Sequence, residues 1–180
     1  MSLIVEPLQR DKHNRLPFSS GVDSLDSFLH QNAHQAIKKR LSQTYVAVDD
    51  ANESEILGFY TVTPCRIDAG QLPLETIRAS RLPQSKDLPA NLVAQLAVCE
   101  SVQGRGIGAL LMMDALNRCA RVSADVGGVA VVVDTIDDSV VEFYAQYGFE
   151  RFDPDSRRMF IMMATVQALV GGPEEKQEAG

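Results

Sequence analysis

One segment near the middle of the chain constrains the fold more than any other. The apolar run Gln95-Leu96-Ala97-Val98 leads into the glycine-rich turn Gln103-Gly104-Arg105-Gly106-Ile107-Gly108, and a strongly amphipathic helical pattern follows. Glycine lacks a Cβ, so this turn can point several backbone N–H groups at one anion. The unpaired amides and the positive dipole end of the following helix add to the attraction. The sequence therefore predicts a strand, a turn and a helix that together bind phosphates.

The spacing of the glycines excludes two common phosphate-binding motifs. The dinucleotide fingerprint follows G-x-G-x-x-G, whereas these glycines follow G-x-G-x-G, and no Gly-Lys-Ser or Gly-Lys-Thr completes a Walker loop. The turn from Gln103 to Gly108 fits the pattern Q/R-x-x-G-x-G/A without change. With this pattern the chain resembles the GNAT family of acetyltransferases, in which the turn holds the pyrophosphate of acetyl-CoA. The resemblance implies that acetyl-CoA is the co-substrate.

A second motif, about forty residues downstream, extends the resemblance. The run from Phe143 to Phe149 resembles the family's closing F-Y-x-x-x-G-F element, which places a tyrosine beside the acyl-CoA sulfur. The resemblance implies that Tyr144 is catalytic and gives a proton to the departing CoA thiolate; the alternative is a core aromatic residue on a helix face. The acetyl-CoA-binding residues implied by the resemblance are Leu96, Ala97, Val98, Gln103, Gly104, Arg105, Gly106, Gly108, Ala109, Asp137 and Phe143.

A narrower resemblance begins near the N-terminus. The run from Phe18 to Leu29, followed by Ala33, resembles the opening of GNAT toxins that are encoded with ribbon-helix-helix antitoxins and acetylate the amino group of aminoacyl-tRNA. Those toxins commonly have arginine where Gln95 stands and an acidic residue where Cys99 stands. The resemblance implies an aminoacyl-tRNA acceptor and an antitoxin partner, and a homodimer is also expected. Two alternatives are a housekeeping acetyltransferase for a small-molecule or protein amine, and a non-catalytic domain that binds acyl-CoA or a partner.

The chemistry of acetyl transfer also bears on the acceptor. Transfer from a thioester to an amine needs an unprotonated amine, a donor to the thioester oxygen and a proton for the leaving thiolate. The backbone around Val98 can offer the amide and Tyr144 the proton, whereas Glu100 is the one candidate for a general base. Deprotonating a lysine at pH 7 costs about 4–5 kcal/mol, and an α-amino group largely escapes that cost. The shortage of bases therefore favours aminoacyl-tRNA over protein lysine.

The hydrophobic pattern predicts an α/β fold with a mixed central sheet of about six or seven strands and helices on both faces. Helices are predicted over 22–40, with Ser20 or Asp23 as the cap, after Gly106, and after Asp137. A single domain is expected over 1–168, with an acidic, disordered tail over 169–180. The predicted strands are Leu3–Val5, Tyr45–Val48, Ile56–Val62, Leu92–Val98, Gly128–Asp134 and Met159–Met163, with Phe149–Phe152 as a partner of the last. Residues 65–90 are predicted to form a long irregular loop with a helical turn near Leu74–Ala79.

Charge and composition limit which binding partners, compartment and metal are expected. The formal net charge of −7 is unusual for a nucleic-acid-binding protein, although basic clusters occur at Lys38–Arg40, Arg78–Arg81 and Arg157–Arg158. No leader and no membrane span are recognised, so a cytoplasmic protein is expected. His30 and His34 have the i, i+4 spacing of a zinc helix, but a third ligand is not apparent, and no metal is expected.

Overall fold

The computed structural model describes residues 1–84 and 86–171. Within these residues, seven strands form one mixed sheet in the order β1-β2-β3-β4-β5-β7-β6. The strands are β1 (Leu3–Pro7), β2 (Gln43–Asp49), β3 (Gly58–Asp68), β4 (Asp87–Val98), β5 (Ala130–Asp134), β6 (Glu150–Arg151) and β7 (Arg158–Met162). The helices are α1 (Asp23–Ser27), α2 (Ala33–Lys38), α3 (Leu74–Ser80), α4 (Ile107–Val126), α5 (Val141–Ala145) and α6 (Met163–Val170). The predicted α/β class and strand number are confirmed.

The chain forms two compact units, each built from two segments. The first unit comprises Met1–Pro64 and Leu92–Ala115, and the second comprises Cys65–Asn91 and the chain from Leu116 onward. The single domain expected over 1–168 stays a prediction.

The first unit contains the predicted hairpin. Strand β2 pairs antiparallel with β3, with Tyr45 opposite Tyr60, and strand β1 pairs antiparallel with β2 on its other side. Thr44 and Thr61 sit opposite each other in the first pair, and their buried hydroxyls are 2.8 Å apart. This hydrogen bond satisfies two polar groups that would otherwise be costly to bury.

The helix predicted over 22–40 is present but is not one regular α-helix. Helices α1 and α2 are joined by a π-helical turn over Phe28–Asn32. The prediction that Ser20 or Asp23 caps the helix is wrong. Val22 occupies the cap position without a side-chain hydrogen bond, Asp23 is the first helical residue, and the Ser20 hydroxyl donates to Asp26 Oδ1 instead.

The core of the first unit is formed by this helical segment and the hairpin. Phe18 and Phe59 meet edge to face, with ring centroids 5.4 Å apart, and Leu29 is fully buried beside them. Burial of each such side chain contributes about 1.5–3 kcal/mol. The core cluster consists of Leu8, Phe18, Leu25, Leu29, Ala33, Val46, Val48, Ile56, Phe59 and Ala97.

The long irregular loop predicted over 65–90 is shorter than expected. Strand β3 continues to Asp68 and strand β4 already begins at Asp87, so both ends of the predicted loop are strand. Side chains there alternate: Cys65 and Ile67 point inward, whereas Pro64, Arg66 and Asp68 are exposed. Pro89 obscured the strand at the second end of this segment, because proline lacks the backbone donor that a strand normally uses. The predicted helical turn is confirmed as α3.

The second unit differs from the prediction at its C-terminal end. Strand β7 pairs antiparallel with β5, and the short β6 pairs with the other side of β7. The predicted partner strand therefore forms the sheet edge, and β7 lies inside. Helix α6, with Val166 buried, was not predicted. Of the tail predicted over 169–180, residues 169 and 170 belong to helix α6, and the residues from 172 onward lie outside the described part of the chain.

Helix α4 is the longest helix and buries the face that the sequence indicates. Ile107, Leu111, Ala115 and Cys119 are all at most 1% exposed. Val122 was expected on the same side but is 41% exposed, since the helix is leaving the core at that point. Of the helices in the described part of the chain, none combines the length and the apolar character that a membrane span needs.

Strand β3 and helix α4 approach closely at Gly58, which yields a stability prediction. A Cβ at this position would lie 2.8 Å from Leu111 Cδ1 and 3.0 Å from Ala97 O. We expect Gly58→Ala to lower the free energy of unfolding by about 1–3 kcal/mol through overpacking, measured by urea denaturation. Gly70→Ala is the control, because a Cβ there meets only the Asp68 side chain. Equal stability of the two variants would contradict the close approach.

Candidate active site

The glycine-rich turn lies in the first unit, between strand β4 and helix α4. The strand ends at Val98, a 3-10 turn spans Glu100–Val102, and Gly104 and Gly106 both adopt left-handed backbone with φ of +78° and +83°. An L-residue with a side chain enters that region only at a cost of about 1–2 kcal/mol. The backbone of the turn therefore requires glycine at both positions.

Backbone amides at the start of helix α4 lack helical acceptors. The first helical hydrogen bond runs from Leu110 N to Gly106 O, at 3.1 Å. The amides of Ile107, Gly108 and Ala109 precede this bond, so they have no acceptor within the helix. Together with the positive end of a 20-residue helix, they form a site suited to an anion.

The space in front of the turn is open. A Cβ built on Gly104 or on Gly106 would meet no described atom within 4 Å other than those of its two chain neighbours. Arg105, between them, is exposed. An anionic group can therefore approach the backbone directly, which fits the pyrophosphate of a nucleotide cofactor.

The side chain of Gln103 connects this turn to two other segments. Its Nε2 donates to Val98 O and to Ser20 O, both at 3.0 Å. The amide of Glu100 donates to Ser19 O at 2.8 Å. The loop Ser19–Gly21 before helix α1, the N-terminal loop, therefore packs directly on the turn, a contact that the sequence did not predict.

Tyr144 lies in the second unit, on helix α5, and is 7% exposed. Its ring contacts Phe143 and Phe149 edge to face, with centroids 5.2 and 5.7 Å away. Burial, and secondarily the charge of Asp134, raises the pKa of Tyr144 to about 12. The hydroxyl is therefore protonated at neutral pH, as a proton donor must be.

Comparison with known proteins decides the family. Residues 40–151 match the acetyltransferase (GNAT) domain family. The chain belongs to the GNAT family. Over 175 residues, 93% of this chain and 95% of the relative, it is 29% identical to a probable toxin TacT of Sinorhizobium fredii. Over 154 residues, 86% of this chain and 89% of the relative, it is 30% identical to a tRNA-acetylating toxin of Mycobacterium tuberculosis.

Solved GNAT structures share the fold. AtaT complexed with acetyl-methionyl-tRNAfMet superposes with a TM-score of 0.84 at 23% identity, covering 93% of this chain and 99% of that one. AtaTR bound with acetyl-CoA has a TM-score of 0.77 at 21% identity, with 93% and 97% covered. The predicted GNAT fold and the predicted acetyltransferase class are thus confirmed.

The GNAT site residues predicted from the sequence fall on both units. The first unit holds Leu96, Ala97, Val98 and the residues of the turn through Ala109, whereas Asp137, Phe143 and Tyr144 belong to the second. Ala97 is buried in the core, so only its backbone can face a ligand. Asp137 caps the 3-10 turn before α5 by accepting from the Ser139 hydroxyl and, at 2.7 Å, from Ser139 N, and these two hydrogen bonds lower its pKa. Their roles in acetyl-CoA binding stay predictions.

Two candidate catalytic groups at the end of strand β4, the Cys99 amide and the Glu100 carboxylate, already have hydrogen-bond partners in this GNAT protein. The amide of Cys99 donates to Leu57 O at 2.8 Å and is not available to a thioester oxygen, whereas the role of the Val98 amide stays a prediction. The Glu100 carboxylate packs on the N-terminal loop, where Ser19 Oγ donates to it at 3.5 Å. Whether Glu100 acts as a general base stays a prediction.

The two histidines and three cysteines considered in the sequence lie in different environments, and the buried Nδ1 of His34 has no hydrogen-bond partner among the described residues. His30 is half-buried, and its Nε2 lies 2.9 Å from Phe18 O, so the helix that carries it is tied to the core. Within residues 1–84 and 86–171, no group of three His, Cys, Asp or Glu side chains could hold a metal ion. Cys65, Cys99 and Cys119 are free thiols, and burial raises the pKa of Cys119 to about 12, which makes it unreactive.

Proposed function

We propose that this GNAT enzyme transfers the acetyl group of acetyl-CoA to the α-amino group of an aminoacyl-tRNA. The observation that carries the proposal is the 30% identity to a tRNA-acetylating toxin over 86% of the chain. The AtaT complex supports it, because the same fold there binds acetyl-methionyl-tRNAfMet. The cytoplasm, where charged tRNA is found, is the proposed compartment.

We propose that acetyl-CoA binds with its pyrophosphate at the glycine-rich turn. The open space in front of Gly104 and Gly106 and the helix amides of Ile107, Gly108 and Ala109 support this placement. When bound, acetyl-CoA supplies a thioester whose carbonyl carbon accepts the amine nitrogen. The bound AtaTR structure shows that this fold accommodates acetyl-CoA.

Each bond change has a proposed partner in the chain. As the new C–N bond forms, the Val98 amide donates to the thioester oxygen. As the C–S bond breaks, Tyr144 gives its hydroxyl proton to the sulfur, and the proton released by the amine replaces it. The Tyr144 hydroxyl carries its proton throughout the neutral range, as this role requires.

Among the residues that the structure describes, Glu100 is the base candidate at the end of strand β4, and its carboxylate already accepts from the Ser19 hydroxyl at 3.5 Å. An acceptor amine that needs little deprotonation depends least on such a base. An α-amino group has a pKa near 7.7–8.0, and about 2–3 units separate it from lysine. An aminoacyl ester therefore fits this site better than a lysine side chain does.

Salt dependence tests the proposed RNA contact. Lys38 and Lys39 are exposed, whereas Arg158 is paired with Asp134 at 2.8 and 3.1 Å and is a weaker candidate for phosphate. We expect tRNA affinity to fall steeply with salt, and Lys38→Gln/Lys39→Gln to reduce the log–log slope by about 1–2. Fluorescence anisotropy measures the slope.

The matched control for that experiment removes two charges elsewhere. Arg10 and Arg121 are exposed and lie outside the basic clusters. Arg10→Gln/Arg121→Gln makes the same change in net charge and should leave the slope nearly unchanged. Equal effects of the two double variants would contradict a specific contact at Lys38–Arg40.

A transfer assay tests the function itself. The purified protein is mixed with labelled acetyl-CoA and either charged or deacylated tRNA. We expect label in the charged tRNA alone, because the deacylated form lacks the α-amino group. Label in neither form would refute the proposal.

An antitoxin partner is proposed on similar grounds. An AtaT mutant toxin has been solved bound to the C-terminus of the antitoxin AtaR. The N-terminal resemblance to toxins encoded with ribbon-helix-helix antitoxins supports the same kind of partner here. A homodimer stays a prediction.

A further inference from the structure

The loop Ser19–Gly21 is built against the turn between strand β4 and helix α4. Three observations show this: Glu100 N donates to Ser19 O at 2.8 Å, Gln103 Nε2 donates to Ser20 O at 3.0 Å, and a Cβ on Gly21 would lie 2.5 Å from Glu100 Oε1. Gly21 also has a φ of +84°, a backbone conformation that favours glycine.

Asp26 holds this loop from the other side. Its Oδ1 accepts from the Ser20 amide at 2.9 Å and from the Ser20 hydroxyl at 2.6 Å. Ser20 is only 7% exposed, so both donors would be costly to leave unpaired. The Ser20 hydroxyl oxygen also accepts from Val22 N at 3.2 Å. A continuous chain of hydrogen bonds thus runs from Asp26 through Ser20 to Gln103.

We propose that Ser20 and Asp26 are positioning residues for acetyl-CoA binding, because they hold the N-terminal loop against Gln103 and so fix the shape of the glycine-rich turn. The inference rests on the proposed placement of acetyl-CoA at that turn. Its physical basis is preorganisation: a turn held in its binding geometry before the ligand arrives avoids paying the ordering cost on binding. Without Asp26, the Ser20 carbonyl loses its fixed position and Gln103 retains one firm acceptor, Val98 O.

Isothermal calorimetry with acetyl-CoA, well below the unfolding temperature, tests this inference. We expect Asp26→Ala to raise Kd about tenfold, which corresponds to about 1.4 kcal/mol. Asp26→Asn keeps an oxygen acceptor at the same place and should stay within about twofold of the wild type. Asp23→Ala removes an equal charge from the same helix at an exposed position and should have no effect.

A purely structural role predicts a different result. In that case Asp26→Ala would lower the unfolding temperature and leave Kd within twofold, and this outcome would overturn the inference. Should Asp26→Ala fail to fold, Ser20→Ala removes only the hydroxyl and is measured in its place, with an expected rise of about threefold in Kd. An unchanged Kd in a folded Ser20→Ala would equally count against it.

The Gly106→Val variant distinguishes failure of this inference from failure of the proposed acetyl-CoA site. If Gly106→Val binds acetyl-CoA normally, the placement of the ligand at the turn is wrong. If Gly106→Val loses binding while the Asp26 and Ser20 variants keep it, the placement stands and only the positioning role fails.

Discussion

Replacing Tyr144 by phenylalanine is expected to lower kcat by about 10²–10⁴-fold, the usual contribution of a positioned proton donor. The ring contacts with Phe143 and Phe149 are made by the aromatic face and edge, and phenylalanine preserves them. The unfolding temperature and the acetyl-CoA affinity should therefore stay close to those of the wild type. Stopped-flow detection of the released CoA thiol, with charged tRNA as acceptor, measures the loss.

Tyr147→Phe is the matched control for that experiment. Tyr147 lies three residues after Tyr144, in the turn that follows helix α5, its ring also contacts Phe143, and burial raises its pKa as well. Its loss should leave kcat within about twofold, because no catalytic role is assigned to it. If Tyr144→Phe turns over at the wild-type rate, Tyr144 is a core aromatic residue and the proton must come from another group.

Replacing Gly106 by valine is expected to abolish acetyl-CoA binding. The φ of +83° makes any side chain there strained by about 1–2 kcal/mol, and the added atoms would project into the open space before the turn. The pyrophosphate could then no longer approach the amides at the start of helix α4. Calorimetry should show no measurable heat of binding under conditions that give a full isotherm for the wild type.

Gly127→Val controls for the strain alone. Gly127 follows helix α4, has a φ of +94°, and has open space where its Cβ would be. The two variants should lose similar amounts of stability, but only Gly106→Val should lose the ligand. Unchanged affinity in Gly106→Val would sink the assignment of the turn to acetyl-CoA.

The sequence was most informative where local chemistry decides the structure. Gly104 and Gly106 were identified because positive φ and close ligand approach both demand glycine, and the turn forms as predicted. The face of helix α4 was predictable because a 3.6-residue period of large apolar residues has few alternatives. Tyr144 was identified through a motif. Because its side chain is buried, the sequence pattern around it also fits the alternative, a core aromatic residue.

The sequence was least informative where distant segments meet. Gln103 was predicted from its motif, but its hydrogen bond to Ser20 spans 83 positions and leaves no local pattern. Ser20 was expected to cap a helix, and the structure uses it to link Asp26 to the turn. Prolines made the ends of strands β3 and β4 hard to predict. Proline lacks a backbone N–H, so its effect on a strand depends on whether the neighbouring strand needs a hydrogen-bond donor at that position.

The central claim is that the acceptor is the α-amino group of a charged tRNA, and a competition experiment tests it most directly. The enzyme is given acetyl-CoA together with charged tRNA, a polyamine and a lysine-containing peptide at equal concentrations, and the products are analysed by mass spectrometry after nuclease digestion. We expect the acetyl group on the aminoacyl-adenosine fragment, and its absence when Tyr144→Phe replaces the wild type. Acetylated polyamine or peptide with unmodified aminoacyl-adenosine would contradict the claim.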